Sequence, residues 1–410
     1  MNGFTTKAVH GARTRKDPHG SLRGPLYDSV AFEFDTAHDA ELAFAGKKPA
    51  HAYSRITNPT VEEFELRIRL LSDSFGVVAV SSGMAAIADT VMALAESGSN
   101  IVTSRHLFGH TLALFESTLG RWGLEVRFVD MTSPASVDKA IDGRTRLVFL
   151  ESITNPQLEV ADIGEICTVA SRRNVPVVLD GTLTTPYLFR SKDAGVAVEV
   201  LSSTKYISGG ATSVGGLIID NGVFDWKRTP ALRDLAAGVG PGALLVRLRR
   251  DVYRNLGACL SPHNAWLQTL GLETMALRIE RSCANAFAIA RFLQQQPQVR
   301  RVNYPGIGDS PSYEHAVKQF RRGFGGILTF DLADRTECFA LMDRLTLIRK
   351  ATNLNDNKTL IIHPSSTIFC DFSAQQKAEM GVTDSTIRLS AGIEDAEDLT
   401  GDIRQALEAL

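Results

Sequence analysis

The stretch VPVVLDGTLTTPYLFRSKDAGVAVEVLSSTKYISGG, from Val175 to Gly210, decides the fold. It contains two short apolar runs, VPVVLD and VEVLSS, with none of the alternation expected of a strand that has one wet face. Continuous apolar strands of this length belong to sheets covered on both sides, and such sheets are mostly parallel. The first run ends in Asp180. The second leads into Ser202, Thr204 and Lys205, and then into the bare pair Gly209-Gly210.

The same texture extends outward from about Val77 to Asp220. Upstream lie the runs VVAVSS, NIVTS, LEVRFVD and TRLVFLE, and downstream lies VGGLIID. Amphipathic segments separate several of them, among them GMAAIADTVMALAESG, GHTLALFESTLGRWG and ADIGEICTVASRRN. The expectation is an α/β domain with a mostly parallel central sheet.

Beyond the loop AAGVGPGALL the pattern changes. Leu272, Met275, Ile279, Cys283, Ala286, Ala290 and Leu293 recur at steps of three and four, which predicts a long helix with a core-facing stripe. The short strands GGILTFDL, TLIIHP and STIRLS follow, then a closing helix, AEDLTGDIRQALEAL. These read as a smaller C-terminal α+β domain. The first fifty-odd residues are punctuated by Gly and Pro and show little periodicity, as suits an arm lying on another surface. The 410 residues exceed the usual span of one core. The division expected is an arm at 1–55, an α/β domain at 56–245 and an α+β domain at 246–410.

Composition narrows the class. With 44% hydrophobic residues, 22% charged residues and a net charge of -2, the chain reads as an ordinary globular protein, with no electrostatic reason to expect nucleic acid or an anionic membrane as partner. No apolar run approaches the roughly 18 residues of a membrane span. The opening MNGFTTKAVHGARTRKDPHG has no apolar core of a secretory signal. Cys167, Cys259, Cys283, Cys338 and Cys370 form no CxxC pair, and with the nine histidines they show no metal-ligand spacing. They read as scattered thiols of a reducing compartment, so the expected location is cytoplasmic and no metal is expected.

Three features converge on chemistry. Asp180, Lys205 and the turn Gly83-Met84 all lie at carboxyl ends of expected strands, where open α/β sheets place their ligands. A glycine turn at a helix start leaves backbone N–H groups free for a phosphate, and Ser202 and Thr204 can add hydroxyl donors. Singly, each has a plainer reading: a turn glycine, a capping aspartate, a solvated lysine. Together, phosphate cup, carboxylate and amine meet the needs of pyridoxal phosphate (PLP), which requires a phosphate anchor, an acid for its ring nitrogen and a lysine for its aldehyde.

The motifs YSRITNPT, SSGMAAI, ESITNP, SSTKYISGG, HPSST and IRLSAGIED resemble, in order and over nearly the whole chain, those of the Cys/Met-metabolism PLP-dependent enzymes. The resemblance implies a fold-type I PLP-dependent transferase, assembled as a homotetramer of two active dimers. It implies a catalytic set of Lys205 as Schiff-base lysine, Asp180 on the ring nitrogen and Phe108 stacked on the ring. Asn155 would face the ring's phenolic oxygen, and Gly83, Met84, Ser202 and Thr204 would hold the phosphate. Tyr53 and Arg55 would reach the phosphate of the neighbouring subunit's cofactor. Arg388 would grip the substrate α-carboxylate, with Asn353 and Tyr53 beside the substrate; the plainer reading of Arg388 is a surface charge paired with Glu394 or Asp395. His363 is expected to be structural.

Members of this family act at the γ carbon of homoserine-like amino acids, by replacement or elimination. Asn353, in ATNLNDNKTLIIHPSST, stands where lyases and cystathionine γ-synthases carry Ser. With IIDNGVFDW and NLGACLSPHNAWLQTLGLET, it resembles the O-acetylhomoserine sulfhydrylase subgroup. The expected reaction joins O-acetyl-L-homoserine with sulfide or a small thiol, giving homocysteine or methionine plus acetate, as in methionine biosynthesis. A C–S lyase of the methionine or cystathionine γ-lyase type and a cystathionine γ-synthase remain the alternatives, and a catalytically inert binding or sulfur-relay protein is a third class.

The chain also departs from the family pattern. Phe108-Gly109-His110-Thr111 stands where the family carries a tyrosine. Phe108 can stack but cannot give a proton, which favours acetate, already a good leaving group, over a thiolate. His110 stands where methionine lyases often have Cys, and its role is open between a local acid and a packing residue. Leu201 replaces a common His and Gly181 a common Asn.

Overall fold

The computed structural model of the chain describes residues 3–11 and 17–410. Seven strands form the central sheet: β1 (Gly76–Val80), β2 (Asn100–Thr103), β3 (Glu125–Phe128), β4 (Thr145–Glu151), β5 (Val177–Asp180), β6 (Val198–Leu201) and β7 (Gly216–Asp220). Each falls on one of the seven apolar runs. Their order is β1-β7-β6-β5-β4-β2-β3. Strands β3, β2, β4, β5 and β6 pair in parallel. β7 alone runs antiparallel, against both β1 and β6.

The sheet is therefore mixed, for a reason that lies in the connection before β7. A parallel return requires a crossover, usually helical. The segment from Ser202 to Gly215 contains only turns and bends, so VGGLIID folds back beside its predecessor. That same segment carries Lys205.

The sheet is covered on both faces. Val78, Val80, Phe149, Val178, Val200 and Ile218 point into one core, and their strand neighbours Val77, Ala79, Leu201, Leu217 and Ile219 into another. Five early helices matter for the site: α1 (Phe4–His10), α2 (Ala37–Phe44), α3 (Pro59–Ser72), α4 (Gly83–Leu94) and α5 (Gly109–Ala113). The first two were not legible, because elements of seven or eight residues are shorter than the window in which a helical period shows. α1 is held down by Ala8, which is 1% exposed, and by Arg67 Nη1 donating to the Ala8 carbonyl at 3.1 Å. α2 buries no residue.

The long helix Pro262–Leu293 starts at Ser261, whose hydroxyl accepts from the Asn264 amide, and all seven residues of its predicted stripe are buried. A second sheet follows, β8 (Arg301–Asn303), β9 (Ile327–Asp331), β10 (Arg349–Lys350), β11 (Leu360–Ile362) and β12 (Thr386–Ser390), in the order β10-β11-β12-β9-β8. β8 and β10 are edge strands of two or three residues, too short to leave a pattern. The closing helix Ala396–Glu408 buries Leu399, Ile403 and Ala406. Among the described residues, no helix is long and apolar enough to cross a membrane.

Candidate active site

The carboxyl ends of β4, β5 and β6 and the start of α4 open into a cavity of about 600 Å³, closed from the other side by the Thr352–Leu354 loop, Thr367-Ile368 and Arg388. Its size suits a small phosphorylated ring with an amino acid beside it.

One corner is built by α4. Ser82 caps the helix, its hydroxyl accepting from the Ala85 amide at 3.1 Å. The first amides of a helix, here those of Gly83 and Met84, have no intrahelical acceptor and carry the positive end of its dipole. Gly83 must be bare: a Cβ there would lie 2.7 Å from the Ser202 Cβ. Ser202 is itself placed by its amide, which donates to the Thr182 hydroxyl at 2.8 Å. Thr204 also lines the cavity, but its hydroxyl is engaged with Gly215. It donates to the Gly215 carbonyl at 3.2 Å and accepts from the Gly215 amide at 3.0 Å. To serve a phosphate it must release that carbonyl.

The floor is acidic. In the β4–β5 register, Glu151 sits opposite Asp180. Thr182 holds Asp180 by donating its amide to Oδ1 at 2.9 Å. Burial raises the Asp180 carboxyl above its ordinary range, and burial and the neighbouring Asp180 push Glu151 well up. A cation such as a protonated pyridine nitrogen is the partner that would return Asp180 to its anion. Glu151 was not singled out from sequence, yet it ends its strand as Asp180 does, and that was the available signal. Its two oxygens accept from the backbone amides of Phe108, at 2.6 Å, and Asn155, at 3.2 Å. One carboxyl thus aligns both residues expected against the ring. Phe108 packs its ring edge-on against His110, 5.1 Å between centroids.

Gly181 is explained by Glu199 on β6. A Cβ at 181 would collide with the Glu199 carboxyl. Glu199 is 1% exposed, its Oε2 accepts from the Ser191 hydroxyl at 2.5 Å, and among the described residues its Oε1 has no hydrogen-bond partner. Burial raises its pKa to about 8, with the nearby Asp180 adding to the shift. Leu201 lies in the hydrophobic core.

Opposite the floor are the amine and the guanidinium. Lys205 Nζ donates to Asn353 Oδ1 at 2.7 Å. Burial, and then the positive charge of Arg388, lower the Lys205 amine to about 8, so near neutral pH it is partly the free nucleophile. Arg388 is 2% exposed and burial lowers it to about 10, so it stays charged. Its Nη1 donates to Asn155 Oδ1, and its Nη2 to the carbonyls of Thr352 and Asn353, all at 3.2 Å. Among the described residues, its Nε is buried without a hydrogen-bond partner. A buried guanidinium with an orphaned donor, beside an amine, has the chemistry to seat a carboxylate. The plainer reading fails: Glu394 is taken by Thr359 and Asp395 by Arg281.

Tyr53, Arg55 and His363 lie elsewhere. Tyr53 and Arg55 are exposed and do not line this cavity. Arg55 instead donates to the Arg254 carbonyl at 2.5 Å. Both ring nitrogens of His363 are occupied. Nε2 reaches the Asp384 carbonyl at 2.9 Å, so it carries the proton, and Nδ1 accepts from the Ser366 hydroxyl at 2.8 Å. The exposed His110 stands at the rim of the cavity.

The fit of an acid, a phosphate cup and a lysine in one cavity, on this sheet, defines a fold-type I PLP-dependent enzyme. The chain belongs to the family of Cys/Met-metabolism PLP-dependent enzymes, which it matches over residues 5–408. It is 37% identical to the O-acetyl-L-homoserine sulfhydrylase of Corynebacterium glutamicum, over 100% of this chain and 97% of that one. A crystal structure described as an O-acetylhomoserine (thiol)-lyase, from Campylobacter jejuni, superposes with a TM-score of 0.92 at 34% identity, covering 99% of this chain and 100% of that chain. It carries a pyridoxyl-lysine phosphate. An O-acetylhomoserine sulfhydrylase of Wolinella succinogenes is 50% identical, with a TM-score of 0.79, covering 86% of this chain and 99% of that one.

Proposed function

We propose that this enzyme performs γ-replacement on an acyl-homoserine, exchanging acetate for sulfide or a small thiol. One observation carries the choice. Phe108 lines the cavity, and no tyrosine of the same chain is among the described residues that line it. Elimination of a thiolate benefits from an acid at the leaving group, whereas acetate departs unaided at neutral pH. The sulfhydrylases among the relatives support the same reading.

In this reading Arg388 binds the α-carboxylate through its free Nε, and the Nη contacts keep the guanidinium from turning. Pyridoxal phosphate supplies an electron sink conjugated to the substrate's Cα. Asp180 opposes the positive ring nitrogen, and the α4 amides with Ser202 take the phosphate. Once released, the Lys205 amine moves protons at Cα and Cβ, with Asn353 Oδ1 receiving its N–H between transfers. Phe108 covers the ring and keeps water from that face.

Tyr53 and Arg55 complete the phosphate site of a second copy in a homotetramer of two active dimers. Their exposure, and their distance from their own cavity, support this. The five cysteines, all free thiols, support a reducing, cytoplasmic setting.

A matrix of acyl-homoserines against sulfide, methanethiol and no donor, with products identified by mass, tests the proposal. The expected outcome is turnover of O-acetyl-L-homoserine only with a sulfur donor present. Release of 2-oxobutanoate from methionine at a comparable rate without thiol would make it a lyase.

A further inference from the structure

The loop Thr352–Asn357 reaches the lysine from the second sheet. β12 clamps it through the Arg388 contacts to two of its carbonyls and through Ser390, whose hydroxyl accepts from the Asn355 amide at 2.7 Å. Within it, Asn353 makes two side-chain contacts. Its Oδ1 accepts from Lys205 Nζ at 2.7 Å, and its Nδ2 donates to Asp356 Oδ2 at 3.0 Å. Asp356 is 8% exposed, and its other oxygen accepts from the Lys358 amide at 3.1 Å.

An amide presents an acceptor on one side and donors on the other, and it can turn over. A carboxylate only accepts. Asp356 therefore dictates which end of Asn353 faces the lysine. We propose that Asp356 is a positioning residue: it locks the Asn353 amide with its oxygen toward Lys205, so that the protonated amine is held and its basicity sustained through that amide. The inference rests on Lys205 as the cofactor-bearing amine, and is independent of whether the enzyme replaces or eliminates.

The other charged or titratable side chains facing Lys205 are Arg388 from β12, Asp180 and Glu151 from the ends of β5 and β4, and His110 from α5 at the cavity rim. Glu199 on β6 lies behind Asp180, and Arg278 of the long helix is bonded to the Tyr206 and Gly271 carbonyls. Lys358, whose Nζ lies 4.0 Å from Asp356 Oδ1, is the cation beside the carboxylate itself. All these residues are kept in the variants below. Asp356 opposes the lowering of the Lys205 pKa by burial and Arg388.

The test uses full-length apoenzyme and added pyridoxal phosphate, following absorbance as the aldehyde joins Lys205 with loss of water. Only the neutral amine attacks, so the rate rises with pH and its midpoint reports the lysine. Asp356→Asn leaves both amides free to turn, and the midpoint is expected to fall by about one pH unit. Asp356→Glu restores it in part. In an Asn353→Leu background, Asp356→Asn is expected to move the midpoint by clearly less than it does with Asn353 present, because only the through-space charge of Asp356 on Lys205 then remains. A wild-type midpoint in folded Asp356→Asn, or a full shift that persists in the Asn353→Leu background, overturns the proposal. Should Asp356→Asn fail to fold, Asp356→Ser is read in its place: a midpoint lowered with Asn353 present and much less so beside Asn353→Leu supports the proposal, and no shift, or the same shift in both backgrounds, overturns it.

Discussion

Glu199 stands where a side chain at position 181 would go, so Gly181 and Glu199 are one structural decision made at two places. The glycine is not in a left-handed conformation, so the constraint on it is steric. Gly181→Ala is expected to cost about 1–3 kcal/mol, as overpacking of a tight interior does. The same change made together with Glu199→Val is expected to cost much less. Chemical denaturation of the two single variants and the double checks this, and additive effects would mean the two positions do not share space.

The buried Glu199 also makes stability depend on pH. Its pKa in the folded chain is raised from 4.5 to about 8, so between those values the folded state binds more protons than the unfolded one. The sign follows: this group's contribution is most favourable below pH 4.5 and is lost as pH rises toward 8, by roughly several kcal/mol at full effect. Glu199→Gln removes the titration. Its melting temperature relative to wild type is therefore expected to climb from pH 5 to pH 8, and a flat difference across that window would contradict the assignment.

Glu151 accepts from the amides of both Phe108 and Asn155. Gln offers one acceptor oxygen and a donor group, so Glu151→Gln turns one of these contacts donor-to-donor. A lost buried hydrogen bond of this kind costs about 1–3 kcal/mol, and the affinity of the apoenzyme for pyridoxal phosphate is expected to fall about tenfold or more. Equilibrium dialysis measures it.

Arg388→Lys keeps the charge and loses the fork. The Nε donor and the hold on the Thr352 and Asn353 carbonyls both vanish. KM for the amino-acid substrate is expected to rise by about 30- to 1,000-fold, equivalent to roughly 2–4 kcal/mol. KM for the sulfur donor should change far less. Steady-state kinetics with each substrate varied in turn separates the two.

Phe108→Tyr adds a phenol to the cavity wall. It is expected to raise keto-acid release from methionine by at least about tenfold, within the usual reach of a positioned acid. Replacement on O-acetyl-L-homoserine should change by less than about threefold. Coupled assay of 2-oxobutanoate measures the first, and an unchanged methionine reaction would remove Phe108 as the reason for the choice between reactions.

Much of this was legible because strong local patterns coincide with the fold. The seven runs that became β1 to β7 are continuous and apolar, and the stripe from Leu272 to Leu293 keeps its period over six turns, so neither has a rival reading. The cavity's Asp180, Lys205, Gly83 and Arg388 were visible because each occupies a strand end or a dense motif. The antiparallel turn of β7 was not, since strand direction is set by how far a connection can reach and not by the strand's own residues. Glu199 and Asp356 were missed for a related reason. Glu199 sits inside an apolar run and acts across to the next strand, and Asp356 acts through a third residue, so neither leaves a mark on its own neighbourhood.

The placement of Arg55 has one more consequence. On the proposed sharing of Arg55 between two copies, a chain broken at its own lysine can be repaired by one broken at its arginine. Lys205→Ala and Arg55→Ala, each crippled when pure, would regain about a quarter of wild-type turnover when unfolded and refolded together in equal amounts. Half of the random pairs are then mixed, and each mixed pair holds one whole centre and one doubly broken one.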